Sequence, residues 1–275
     1  MKHLALSIFI LFLQPVITAQ TLSGKVIDQK TNAAIPYVNI GIVGRGTGTV
    51  SDFEGHFKIN MHDSLNGGTI RFSCIGYKPI NFNVSDFKKR YRDGGINISM
   101  EENVVTLAQV VVKPKVYKTK ILGNENNFKG ITAGFMSNDL GSELATIMHI
   151  KKSPSFIETI NINIGNNELK QVKFRLNIYN MKDGLPDTIL LKEPIFITTE
   201  KKSGTLTVDM KKYNLYVEND FLVSLEWIED YGSNKLYFCA GLMNSNSLYR
   251  KTSQDEWHNA KPVGIGINAT VIYEK

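Results

Sequence analysis

The chain is poor in the residues from which most active sites are built. Its 275 residues include two cysteines, Cys74 and Cys239, and five histidines, at positions 3, 56, 62, 149 and 258. Two cysteines allow one bridge at most, and no C-x-x-C pair exists to hold zinc. Each falls in a predicted strand of a different domain, so both are expected to be free, buried thiols. No two histidines stand at i, i+4, no H-E-x-x-H helix occurs, and no G-x-S-x-G elbow offers a nucleophile. His56 and His62, with Asp52, Glu54 and Asp63 near them in sequence, read as surface residues beside a hairpin, since metal ligands must converge. The glycine-rich Gly44-Arg-Gly-Thr-Gly48 leads into a strand rather than a helix N-terminus, so it lacks phosphate-cradling amides and reads as a turn. No catalytic residue, metal ligand or cofactor is therefore predicted, and the chain reads as a non-enzyme.

Long apolar runs are also scarce, with one exception. Residues 1–19 (MKHLALSIFILFLQPVITA) carry Lys2, an apolar stretch from Leu4 to Leu13, Pro15 and then Ala19. That order is a secretory signal peptide, too short and wrongly flanked for a spanning helix. Cleavage after Ala19 would leave a mature chain starting at Gln20, exported and not membrane-spanning. No cysteine follows the apolar stretch, so no lipoprotein anchor is expected. Losing Lys2 takes the formal charge from +6 to +5. So small an excess, in an exported chain, argues against nucleic acid as a partner. Its densest basic stretch, FKKRYR at 87–92, reads as a solvated loop between strands in preference to a patch for phosphate-bearing glycans or lipid head groups.

What the chain does have is alternation. Val38, Ile40 and Ile42 alternate with Tyr37, Asn39 and Gly41, and Phe57 and Ile59 with His56 and Lys58. Ile70, Phe72 and Cys74 alternate with Thr69, Arg71 and Ser73. Ile80, Phe82 and Val84 do so next, then Ile96, Ile98 and Met100. A period of two puts each apolar set on one face of a strand, and several such strands make a small antiparallel sandwich. Gly48 and Gly55 are placed where strands must reverse with positive φ. Asp52 can bond the amides of its own turn. Phe57 and Phe72 are assigned to the core, and Gly76–Tyr77 to a strand end with a half-buried aromatic.

These residues also carry a resemblance. G-x-V-x-D-x-x-T at 24–31, I-P-Y-V-N-I at 35–40, G-T-V-S-D-F-E-G-H-F at 48–57 and F-S-C-I-G-Y at 72–77 resemble the carboxypeptidase regulatory-like domain. The version is similar to one that opens many exported and outer-membrane proteins of gram-negative bacteria. The resemblance implies a seven-stranded transthyretin-like sandwich over residues 20–101, and no catalysis, because this domain is the non-catalytic companion in the enzymes that gave it its name. In receptors of that group a phrase such as L-x-E-V-V-V follows and binds the energy-transducing protein TonB. Leu107-Ala-Gln-Val-Val-Val112 is similar, but Gln109 replaces the acidic residue, and 275 residues are too few for a plug and a large barrel. Residues 102–129 are read as an extended connector.

Residues 130–275 read as a second all-β unit. Ile160, Ile162 and Ile164 alternate with asparagines, and Val172, Phe174, Leu176 and Ile178 with Lys173, Arg175 and Asn177. Phe221, Val223, Leu225 and Trp227 share a phase, as do Ile265, Ile267, Ala269, Val271 and Tyr273. Leu144 to Ile150 fits either period and is assigned to a strand, because Gly141 interrupts a helix. The count fits a jelly-roll-like sandwich. R-L-N-I-Y at 175–179, D-G-L-P-D at 183–187 and F-L-V-S-L-E-W at 221–227 resemble a sandwich that often accompanies the regulatory-like domain. Trp227 has the core phase, whereas Trp257 lies in a polar stretch and is the candidate ligand contact. The expected function is a non-catalytic envelope protein, periplasmic, outer-membrane-associated or secreted, that binds a glycan or a protein partner. The alternative is an accessory relative of TonB-dependent receptors, working through residues 107–112.

Overall fold

The computed structural model describes residues 20–92, 95–103, 116–135, 137–242 and 246–275. The signal-peptide segment and residues 107–112 lie outside them. The described chain is all-β, as the alternation requires, and none of its helices is long and apolar enough to cross a membrane.

The first unit contains β1 (Gln20–Asp28), β2 (Asn39–Ile42), β3 (Thr47–Val50), β4 (His56–Met61), β5 (Thr69–Ser73), β6 (Ile80–Asn83) and β7 (Ile96–Met100). They form a three-stranded sheet, β4-β1-β7, facing a four-stranded sheet, β3-β2-β5-β6. This is the expected seven-stranded sandwich, with one difference: β7 runs parallel to β1. A parallel neighbour needs a crossover rather than a hairpin, and here α1 (Val84–Arg90) carries the chain from β6 towards β7. Residues 87–92 are therefore not a free loop. Asn83 caps α1 by accepting bonds from the amides of Ser85 at 2.9 Å and Asp86 at 3.4 Å, which also ends the alternation one residue short of Val84. Phe87 is buried, with ring centroids 5.8 Å from Phe72 and 4.9 Å from Tyr91. Phe72 is fully buried at the centre of this cluster, and Phe57 lies edge-on to it at 5.6 Å. The D-x-x-T motif is a turn lock, since Asp28 Oδ1 accepts from the amides of Lys30 and Thr31 and from the Thr31 hydroxyl.

The second unit begins earlier than its sequence indicates. Its strands are β8 (Tyr117–Gly123), β9 (Thr132–Phe135), β10 (Glu143–Met148), β11 (Ser155–Asn167) and β12 (Val172–Lys182). Then come β13 (Leu185–Ile189), β14 (Ile195–Thr199), β15 (Gly204–Asp209), β16 (Tyr216–Val217) and β17 (Phe221–Trp227). Last are β18 (Leu236–Leu242), β19 (Ser247–Arg250), β20 (His258–Asn259), β21 (Val263–Ile265) and β22 (Ile267–Glu274). The residues expected as a connector thus supply β8, which pairs with β22 along seven residue pairs. One sheet is β13-β12-β17-β10-β19-β20 with β14 against β12; the other is β21-β18-β11-β22-β8 with β15, β16 and β9 attached. The core between them holds the expected phases: Ile160, Ile162, Ile164, Phe174, Val223 and Trp227. β12 and β13 meet in a two-residue turn at Asp183-Gly184, both at positive φ, the geometry that an Asp-Gly pair favours in hairpins.

Candidate functional site: the cleft between the sandwiches

The outer face of the β12-β17-β10-β19 sheet does not meet water as an antiparallel outer face commonly does. Register places Arg175 opposite Glu226, Glu226 opposite Glu143, and Glu143 opposite Arg250. Four adjacent strands thus present one row of charges, plus, minus, minus, plus. Both glutamates are completely buried, Arg175 is 2% exposed and Arg250 8%. Like charges directly opposite destabilise a sheet, and a buried charge must be paired and hydrogen-bonded. The row pairs each glutamate with an arginine, although the two glutamates stand opposite each other and Glu226 Oε1 and Arg250 Nε are left without a partner. Arg175 Nε donates to Glu226 Oε2 at 2.8 Å, and Asn177 Nδ2 to the same oxygen at 2.7 Å. Glu143 accepts from the Ser224 hydroxyl, from Arg250 Nη2 and from the Tyr179 hydroxyl, the last at 3.1 Å. Burial pushes the Glu143 carboxyl up, Arg250 pulls it down and Glu226 pushes it further, with a net rise. Burial and the nearby Glu143 hold the Tyr179 hydroxyl firmly protonated. Burial opposes the charge on Arg175, but Glu226 outweighs it and the guanidinium stays charged.

The first sandwich covers part of this face. Arg175 Nη1 donates to the Tyr37 carbonyl at 2.7 Å and Nη2 to Asn39 Oδ1 at 2.5 Å. Lys173 Nζ bonds the Tyr37 hydroxyl at 2.9 Å and stands over the rings of Tyr37, Phe53 and Phe196, at 4.8, 5.8 and 5.7 Å from their centroids. The Tyr37 and Tyr231 hydroxyls donate to Glu229 at 2.5 and 2.7 Å. Residues 252–255 form a strap across β2 and β3. Gln254 O accepts from the Gly44 amide at 3.0 Å, and Gln254 Nε2 donates to Ser73 Oγ at 2.8 Å. The strap explains Gly48, which is not a turn residue: it pairs with Gly41 inside β3, and a Cβ there would stand 2.4 Å from Ser253 O. The β2–β3 turn falls instead at Gly44 and Gly46, both at positive φ.

Beside this contact the two sandwiches part, leaving a cleft of about 830 Å3. Its floor is Arg175, Asn177, Tyr179 and Arg250. One wall is residues 73–77 and Pro79 of the first sandwich, and the other is residues 186–192 after the β12–β13 turn. Neither Glu143 nor Glu226 reaches the lining. Among the predicted residues the fold brings Gly76, Tyr77 and Trp257 into this one cleft. Trp257 is half-buried, edge-on to Tyr179 at 5.7 Å, with the Arg250 guanidinium over its ring at 5.0 Å. Gly76 has φ of +87° at the end of the wall, and burial with a bond to Asp28 raises the Tyr77 hydroxyl to about 12. Asp52, Gly55, Phe57 and Phe72 lie elsewhere. Asp52 Oδ1 accepts from the His56 amide at 2.7 Å, and Gly55 takes φ of +77° in that turn. The His56 ring stands 3.6 Å from Asp52 Oδ2 at the surface. Both cysteines are free thiols; Cys239 is in β18, while Cys74 follows β5 and lines the cleft. Burial raises the Cys74 thiol and disfavours its thiolate. The charge row is not legible in the sequence, though one signal is there: Glu226, with Ser224, stands in a strand whose other residues are all apolar.

Residues 22–112 match the family model of the CarboxypepD_reg-like domain. The first sandwich is the part of the chain that resembles this domain. No curated protein matches the chain. The structure of the cysteine protease and lectin-like domains of Cwp84, a surface layer associated protein of Clostridium difficile, aligns at 12% identity and a TM-score of 0.43. That alignment covers 56% of this chain and 36% of the other, so the chain spans about a third of that protein's length. A clostridial Cwp84 cysteine protease after propeptide cleavage aligns at 10% identity and a TM-score of 0.42, covering 94% of this chain and 71% of that one. Likeness this distant assigns no function.

Proposed function

We propose that the protein is a non-catalytic, exported module of the gram-negative cell envelope that holds a glycan or protein partner in the cleft between its sandwiches. The observation that carries this is the cleft's construction. A concave site within the usual ~300–1,000 Å3 range for ligand pockets is floored by buried polar groups whose positions are locked by the charge row beneath. Such a floor is pre-organised, which lowers the cost of binding. The non-catalytic part of the reading rests on the same geometry. The two carboxylates are sealed under the floor, the Tyr179 hydroxyl is held protonated, and Cys74 is a poor nucleophile while protonated.

A photo-crosslinking residue at Ile189 in the cleft, compared with one at Lys212 outside it, tests this in the producing cells after fractionation. The expected result is an envelope-fraction protein whose Ile189 derivative captures a specific species that the Lys212 derivative does not. Equal capture from both sites, recovery in the cytoplasm with Met1 intact, or turnover of a captured molecule would overturn the reading.

A further inference from the structure

We propose that the cleft takes a neutral, hydroxyl-rich ligand, a saccharide unit, rather than an anion. This rests on the cleft being the binding site. Two floor groups carry hydrogen-bonding atoms with no partner, Asn177 Oδ1, an acceptor, and Arg250 Nε, a donor; both are almost without accessible surface, so a ligand reaches them by a small shift of these two side chains. The orientation of Asn177 is not arbitrary. Its Nδ2 faces two carboxylates, Glu226 at 2.7 Å and Glu143 at 3.4 Å, so Oδ1 must turn away from them. Asn177 is 1% exposed and Arg250 8%, and an unmade bond at such depth is costly. An anion brings acceptors alone; it would satisfy Arg250 and leave Asn177 Oδ1 facing another oxygen. An ammonium brings donors alone and reverses the mismatch. A hydroxyl both donates and accepts, and a sugar ring presents several side by side.

Charge points the same way. The basic side chains at the cleft are Arg71, Arg175, Lys192 and Arg250. Against them stand Asp187 and Asp255 in the lining, with Glu226 and Glu143 bonded directly to the two floor arginines. With cations and carboxylates matched, no excess field remains to draw an anion. Trp257 supplies a rigid apolar surface, fixed by Arg250 over its ring and by Tyr179 at its edge, against which the C–H face of a ring can lie.

Calorimetric titration of the purified full chain tests this. The probes are neutral gluco-, manno- and galacto-oligosaccharides, oligogalacturonate and inorganic phosphate. Two variants leave every floor residue in place: Trp257→Ala removes the platform, and Thr188→Trp, at an exposed position of the wall, fills the cleft. A neutral oligosaccharide is expected to bind, on the order of tenfold more weakly to Trp257→Ala and not to Thr188→Trp. Binding of the uronate or phosphate alone overturns the proposal. So does failure of every neutral sugar, with soaked crystals showing only water on Asn177 and Arg250. If no sugar binds yet the Ile189 crosslinker captures a protein, the ligand class fails and the binding-module reading stands; if neither occurs, both fail.

Discussion

Glu226 sits between Leu225 and Trp227 with no exposed surface, and its carboxylate is the common acceptor for Arg175 and Asn177. Removing one member of a buried pair leaves the other charge uncompensated. Glu226→Ala should therefore cost about 3–5 kcal/mol in urea unfolding. Because the two residues share one interaction, Arg175→Met combined with Glu226→Leu should cost less than the sum of the single changes; additive losses would deny the pair its role. In the first sandwich, Phe72 and its neighbour Arg71 give the opposite contrast. Phe72→Ala empties the centre of an aromatic cluster and should cost about 3–5 kcal/mol. Arg71, bonded through Nε to the exposed Asn81 at 2.9 Å, should lose within about 0.5 kcal/mol on change to Ala. Equal losses would mean that the β5 register is wrong.

At the scale of elements, β2 and β3 are defined by what lies across them. Ile40 and Ile42 face the core of the first sandwich, while Gly41 and Gly48 form a bare track on the other face along which the 252–255 strap runs. Gly48→Ala drives a methyl into the strap backbone. It should cost about 1–3 kcal/mol, leave the far-ultraviolet circular dichroism unchanged and split the calorimetric melt into two transitions as the sandwiches separate. Gly67→Ala, where a Cβ meets nothing within 4 Å, is the control, expected within about 0.5 kcal/mol. A single unshifted melt for Gly48→Ala would show that the strap does not hold the sandwiches together. The same holds on a smaller scale for α1, a helix where a loop is expected. Phe87 and Tyr91 are four residues apart, a helical spacing, but the short stretch is dominated by its charges, and only its packing on Phe72 and Phe82 gives the helix a buried face.

For the whole molecule, the contact between sandwiches should respond to acid. Burial alone would raise the Glu229 carboxyl, but the hydroxyls of Tyr37 and Tyr231 and the Lys173 ammonium outweigh it and hold the group below its ordinary 4.5. A carboxyl whose folded pKa is depressed contributes stability that is fully present above the unfolded value and is lost as pH falls through the folded one. The stability difference between the wild type and Glu229→Gln should therefore be constant from pH 7 to about 5 and shrink below 4.5. Thermal melts across that range measure it, and a difference that grows on acidification would mean the carboxyl is not held low by these partners.

Sequence by itself determined the all-β class, the strand phases and the core sides of Phe72, Ile160, Phe174 and Trp227, because a period of two is a local property of the backbone. It marked residues 20–101 as resembling the regulatory-like domain through motifs that are themselves local turns, such as Asp28 with Thr31. It did not reveal what covers the second face of each strand. Tyr37, Asn39 and Gly41 on one sandwich, and Arg175, Asn177 and Tyr179 on the other, have the phase of solvent-facing residues, yet the first three and Arg175 are hidden where the sandwiches meet, and Asn177 and Tyr179 by the charge row and Trp257. Nor could alternation align strands distant in the chain. Glu143 and Arg250 are 107 residues apart, and only the pairing of β10 with β17 and β19 brings them into one row with Arg175 and Glu226. The cleft was decided at that level, since its floor exists only where inter-strand register and the docking of two sandwiches coincide.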